Sequence, residues 1–66
     1  MSENHQEGLP TLPIGAVLQS RGLEREVTHS APGYCLTRGP AKLSPFAFID
    51  GAWRAHYLGD AWAVQL

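Results

Sequence analysis

The sequence predicts an all-β fold: a small five-stranded antiparallel sheet, or a partly open barrel, that ends in a three-stranded meander. Two observations favour this fold. Short segments rich in β-branched and aromatic residues alternate with Gly and Pro turns along most of the chain. In the last of these stretches, the dipeptides Asp50-Gly51 and Gly59-Asp60 are each flanked by apolar residues at alternate positions. A flat sheet of this size would leave one face wet, which favours the barrel.

The first thirteen residues, MSENHQEGLPTLP, show neither helical nor strand periodicity and contain two prolines. They predict a disordered tail over 1–13, in which Leu9 and Leu12 are available for docking, followed by a single domain over 14–66. Residues 14–20, IGAVLQS, are compatible with a strand or a short helix. We favour a strand because Gly15 stands near the start and Thr11 is the only available capping residue.

Two further strands are predicted before the meander. Residues 24–30 have Val27 and Thr28 as their β-favouring centre. The sequence Ala31-Pro32-Gly33 then matches a type II turn, because it has Pro at the second position and Gly at the third. In residues 34–38, Tyr34, Leu36 and Arg38 share one face, and Cys35 and Thr37 share the other.

The meander has a register that is fixed if both of its turns contain two residues. Phe48 then lies opposite Trp53, and Tyr57 lies opposite Trp62. One face, the predicted core, collects Phe46, Phe48, Trp53, Ala55, Tyr57, Trp62, Val64 and Leu66. The other face collects Ala47, Ile49, Ala52, Arg54, His56, Leu58, Ala61, Ala63 and Gln65. This second face is too apolar to contact only water, which predicts that the N-terminal strands or a partner cover it.

The charge balance argues against an electrostatic binding partner. Five Lys and Arg against six Asp and Glu give a net charge of −1, which provides no footprint for nucleic acid or for an anionic membrane. The single cysteine, Cys35, forms no internal disulfide and favours a reducing compartment. The sequence contains no apolar run long enough to predict a membrane span. We therefore expect a cytoplasmic protein without a membrane partner.

Candidate catalytic and metal-binding residues are few. His5, His29, His56 and Cys35 lack the paired spacing of a structural zinc site, which predicts no metal and no cofactor. Cys35 faces His29 only if the two strands pair across the 31–33 turn, and a cysteine in an alternating strand is more often a small core residue. The chain is therefore not expected to be an enzyme. A small thiol-dependent enzyme stays as the second alternative.

The predicted function is a non-catalytic protein-binding module, such as an adaptor, inhibitor or accessory factor. An analogy from size and composition alone suggests a phage or mobile-element origin. In the predicted pairing, strand 61–66 has no second neighbour, so it offers an open edge to a larger host or cognate protein, or to a second copy in a homodimer. The alternative is that residues 14–20 cover this edge. The predicted partner-binding residues are Arg54, His56, Tyr57, Leu58 and Trp62.

Nucleic-acid binding by a small β-barrel is the first alternative function. Aromatic sheets bind bases when exposed rings are interleaved with Lys or Arg. Here the aromatic face carries no positive charge, and the opposite face offers only Arg54 and His56 with Arg38 and Lys42 nearby. This thin basic patch makes nucleic acid the weaker hypothesis.

Overall fold

The computed structural model describes residues 8–40, 44–55 and 59–66. These residues form an antiparallel barrel in which neighbours in sequence are neighbours in the sheet, and the last strand pairs with the first. Its strands are β1 (Val17–Ser20), β2 (Leu23–Ala31), β3 (Tyr34–Arg38), β4 (Pro45–Ile49), β5 (Ala52–Ala55) and β6 (Ala61–Gln65). The prediction of a small all-β barrel is confirmed, including a strand within residues 14–20. The barrel has six strands rather than five and is closed rather than partly open.

Two hairpins contain turns that require positive φ at both central residues. Asp50 and Gly51, between β4 and β5, have φ of 54° and 81°. Arg21 and Gly22, between β1 and β2, have φ of 53° and 83°. These values match the type I′ turn, whose twist suits antiparallel strands. The Asp50-Gly51 turn is confirmed, whereas the Arg21-Gly22 turn was not predicted.

The register of the first meander hairpin is confirmed, and that of the second is wrong. Phe48 lies opposite Trp53, as predicted. Trp62, however, lies opposite Trp53 rather than the predicted Tyr57, a shift of four residues. β5 and β6 are therefore joined by a longer connection than the predicted Gly59-Asp60 turn. Because the shift is an even number of residues, it leaves every side chain of β6 on its predicted face.

The core is built from the inward-facing side chains of all six strands. Phe46 and Trp62 meet edge to face with ring centroids 5.0 Å apart, and Phe48 and Trp53 do so at 5.5 Å. The predicted aromatic core face is confirmed, except that Leu66 is 90% exposed beyond the end of β6 and Tyr57 is outside the described residues. The buried apolar residues are Leu12, Ala16, Leu18, Val27, Cys35, Phe46, Trp53, Ala55 and Trp62.

The lower end of the barrel, which carries the turns at 32–33 and 50–51, is closed by residues before β1. Leu12 is buried in the core. The carbonyl of Pro10 accepts a hydrogen bond from the amide of Gly33 at 2.8 Å, and the carbonyl of Ala16 accepts one from Val27 at 2.8 Å. Part of the predicted tail therefore packs against the lower end of the barrel, and Leu12 contributes to the core. Residues 1–7 lie outside the described residues.

Candidate functional site

The outward-facing side chains of β3, β4 and β5 form a mostly apolar surface. Tyr34 lies opposite Ala47, which in turn lies opposite Arg54, so that the three form one row across the strands. Ile49 lies opposite Ala52 in the row toward the lower end. We call these five residues the outer patch. Tyr34 is 46% exposed and Ile49 is 43% exposed, so large apolar groups in the outer patch contact solvent.

Arg54 is held in place at one side of the outer patch. Its Nε–H donates a hydrogen bond to the carbonyl of Ile49 at 2.9 Å, and its guanidinium also donates to the carbonyl of Gly59. These two contacts fix the plane of the guanidinium between the β4–β5 turn and the start of β6. Arg54 is therefore an oriented cation and not a long side chain free to sample many rotamers.

Arg54 differs from the two exposed arginines, Arg21 and Arg38, because it has no acidic neighbour among the described residues. Arg21 pairs with Asp60 at 3.5 Å, and Arg38 pairs with Glu26 at 3.1 Å. Within residues 8–40, 44–55 and 59–66, no carboxylate lies within 4.0 Å of the Arg54 guanidinium. The outer patch thus combines an apolar centre with a positive charge that forms no ion pair with the described acidic residues and is hydrogen-bonded to backbone carbonyls.

A shallow groove lies on the other side of Tyr34. It has a volume of about 220 Å³ and is lined by His29, Ser30, Ala31, Tyr34 and Leu36. A register shift in β2 between Val27 and His29 shapes this part of the hairpin. The volume is below the roughly 300 to 1,000 Å³ typical of small-molecule sites. The groove is large enough for one side chain of a partner.

Comparison with protein-family models, curated proteins and solved structures found no match. The assignment of the candidate site is therefore based on the geometry of this chain alone.

Of the predicted partner-binding residues, Arg54 and Trp62 lie on opposite faces of the sheet. Arg54 lies in the outer patch, half-buried and facing outward. Trp62 is only 8% exposed and packs against Phe46, so it is a core residue and not an interface anchor. His56, Tyr57 and Leu58 lie outside the described residues.

The open edge predicted for residues 61–66 is wrong. β1 pairs with β6 through Val17 with Gln65, Leu18 with Val64 and Gln19 with Ala63. The chain's own first strand therefore covers this edge at residues 63–65, which was the alternative interpretation of the sequence. A homodimer formed by adding a strand to β6 is incompatible with this pairing.

The cysteine and the histidine that a thiol enzyme would use point in different directions. Cys35 lies opposite Ser30 with its side chain fully buried, while His29 is exposed and lies within 3.1 Å of the Thr28 hydroxyl. Burial raises the pKa of the Cys35 thiol to about 11. At neutral pH the thiol is protonated and inaccessible, which is the state of a packing cysteine and not of a nucleophile.

Two other kinds of feature are not found in residues 8–40, 44–55 and 59–66. No three His, Cys, Asp or Glu side chains there come close enough to hold a metal ion together. No helix there has the length and apolarity needed to cross a membrane.

Proposed function

We propose that this chain is a non-catalytic protein-binding module, and that the outer patch is its binding surface. The observation that carries the proposal is the outward row Tyr34, Ala47 and Arg54, next to the exposed Ile49. The solvent face of an antiparallel sheet normally carries polar residues. Outward positions of β4 and β5 instead hold alanine and isoleucine, and an apolar surface of this kind is typical of an interface.

The composition of the outer patch suits a protein partner. Tyr and Arg are the residues most often found as interface anchors, and Tyr34 and Arg54 stand at either side of Ala47. Small flanking side chains let a partner approach the sheet closely. Binding would occur through side chains on the face of the barrel, because β6 is already paired with β1. Adaptor, inhibitor and accessory roles are all compatible with this mode.

Nucleic acid fits this surface less well. Tyr34 offers one exposed ring for stacking, but affinity for a polyanion depends on several cations that replace its counterions. In the outer patch, Arg54 is the single cationic side chain, and Arg38 is already paired with Glu26. A net charge of −1 adds no long-range attraction.

Affinity capture from a lysate of the source cells tests this proposal. Ile49→Arg adds a bulky charge at an exposed position of the outer patch. Gln65→Arg adds the same group at an exposed position of β6 and is the matched control. We expect the native chain and Gln65→Arg to recover the same protein and Ile49→Arg to lose it, while all three melt cooperatively. Equal recovery by all three would contradict the proposed surface.

A second assay addresses the nucleic-acid alternative. Single-stranded and duplex DNA are titrated at low salt and again at higher salt. Binding that weakens steeply as salt rises, and that is lost in Arg54→Gln, would favour the alternative. We expect no measurable binding at low salt.

A further inference from the structure

The guanidinium of Arg54 indicates the chemistry of the partner, an inference that rests on the proposed function. We propose that the outer patch recognises a protein segment in which an Asp or Glu lies close to an apolar side chain. The carboxylate would bind Arg54, and the apolar side chain would contact Tyr34 and enter the groove beside it.

The first argument is the preorganisation of Arg54. Two backbone carbonyls, those of Ile49 and Gly59, already hold its guanidinium. Little side-chain entropy is therefore lost when a partner binds it. The planar guanidinium matches a carboxylate, and charge-assisted hydrogen bonds of this kind are stronger than neutral ones.

The second argument is charge complementarity. Arg21 and Arg38 are neutralised by Asp60 and Glu26, whereas no acid of the described chain lies within 4.0 Å of Arg54. An acidic group from a partner would pair with Arg54 in the way that Asp60 pairs with Arg21 and Glu26 pairs with Arg38. A basic partner residue would be repelled at this position.

The third argument is spacing. Tyr34 and Arg54 are on β3 and β5, with only β4 between them. Adjacent strands lie roughly 4.8 Å apart, so the two side chains start roughly 10 Å apart. In an extended segment, side chains that share a face are two or four positions apart, which is about 7 or 13 Å. The preferred ligand therefore carries its acid and its apolar group two or four positions apart.

A displayed library of random twelve-residue peptides tests the proposal without a known partner. Ala61 is exposed and lies directly opposite Arg54 on β6. Ala61→Glu gives Arg54 an internal carboxylate that competes with the ligand, and the arginine with its carbonyl contacts is kept. Ala61→Gln is the matched neutral control of nearly equal size.

We expect selected peptides to contain Asp or Glu two or four positions from an aromatic or aliphatic residue. Ala61→Glu should weaken their binding about tenfold, and Ala61→Gln less than threefold. Tyr34→Ala should also weaken it. Selection of basic or purely apolar peptides, or equal binding by Ala61→Glu and Ala61→Gln, would overturn the acidic specificity. Those results would leave the protein-binding function intact if Ile49→Arg still abolished capture from the lysate.

Three further outcomes would also contradict the proposed recognition or the proposed function. Recovery of no peptides at all would refute recognition of a short acidic segment. Binding of oligo(dT) that is lost in Ala61→Glu but kept in Ala61→Gln would assign Arg54 to phosphate and overturn the proposal. If Ile49→Arg also leaves capture from the lysate unchanged, the outer patch is not a protein-binding surface, which is a failure of the proposed function.

Discussion

The Nε–H of Arg25 donates a 2.7 Å hydrogen bond to Oγ1 of Thr37 inside the upper end of the barrel, opposite the end that Leu12 closes. Both residues are buried. The guanidinium also donates to the carbonyl of Pro40, and the Thr37 hydroxyl donates to the carbonyl of Ser44 at 2.9 Å. This polar cluster ties the connection between β3 and β4 to β2. A buried charge of this kind is tolerated only because its N–H groups find acceptors.

Thr37→Val should destabilise the fold by about 1 to 3 kcal/mol, because it removes an acceptor of the buried Arg25 while keeping the shape of the side chain. Chemical denaturation gives the difference in the free energy of unfolding. Thr28→Val is the control, since Thr28 is only half-buried and bonds to the carbonyl of Leu36 near solvent. Equal effects of the two substitutions would show that the Arg25 cluster adds no stability.

Trp53→Ala should cost about 3 to 5 kcal/mol and leave so small a domain largely unfolded. Trp53 is 4% exposed and packs edge to face on Phe48. Circular dichroism during thermal melting measures the effect. Leu23→Ala, at an exposed position at the start of β2, is expected to melt near the parent. A cooperative melt of Trp53→Ala close to that of the parent would contradict the assigned core.

Gly51→Val should destabilise the β4–β5 hairpin much more than Ala52→Val. A Cβ at Gly51 would meet no atom within 4 Å, so the cost comes from the φ of 81° alone. Non-glycine residues pay roughly 1 to 2 kcal/mol in this region, and β-branched residues pay more. Gly51→Asn should retain most of the stability, because Asn tolerates positive φ. Equal unfolding midpoints for the Val and Asn variants would refute this account.

Stability should fall at alkaline pH because of Cys35. Burial raises the pKa of its thiol from 9.0 to about 11, so the folded state holds this proton more tightly than the unfolded state. The contribution is fully present below pH 9 and is lost as pH rises toward 11. Melting temperatures measured from pH 8 to 11 should therefore fall more steeply in the parent than in Cys35→Ala. If the melting temperatures of the parent and of Cys35→Ala fell equally with pH, the folded state would not hold the thiol proton more tightly than the unfolded state.

The face on which each strand residue lies could be predicted from the sequence, because successive side chains of a strand point to opposite faces of the sheet. This alternation gave the aromatic core face and the outward face that holds Arg54. The second hairpin was misassigned because Gly59-Asp60 looks like a local turn, whereas pairing of β6 with β1 and β5 sets the register. That pairing is non-local, and no dipeptide encodes it.

The candidate site was predictable only in part. Tyr34 has an outward position by alternation, but its neighbours depend on the register of β3 with β4, and the six-residue connection 39–44 is too long for its sequence to fix that register. The burial of Arg25 was also unpredictable, because a charged residue within an alternating strand is usually exposed. Leu12 appeared to belong to a tail, since Gly and Pro around it interrupt every periodicity.

Nuclear magnetic resonance tests the outer patch as a binding surface most directly. The ¹⁵N-labelled chain is titrated with the partner captured from the lysate, and each backbone amide is followed. We predict that shifts or broadening centre on Tyr34, Ala47, Ile49 and Arg54, while the amides of Gln19 and Glu24, on the opposite side of the barrel, stay unchanged. Perturbations that centre on β1 and the start of β2, and spare β3 to β5, would contradict the account.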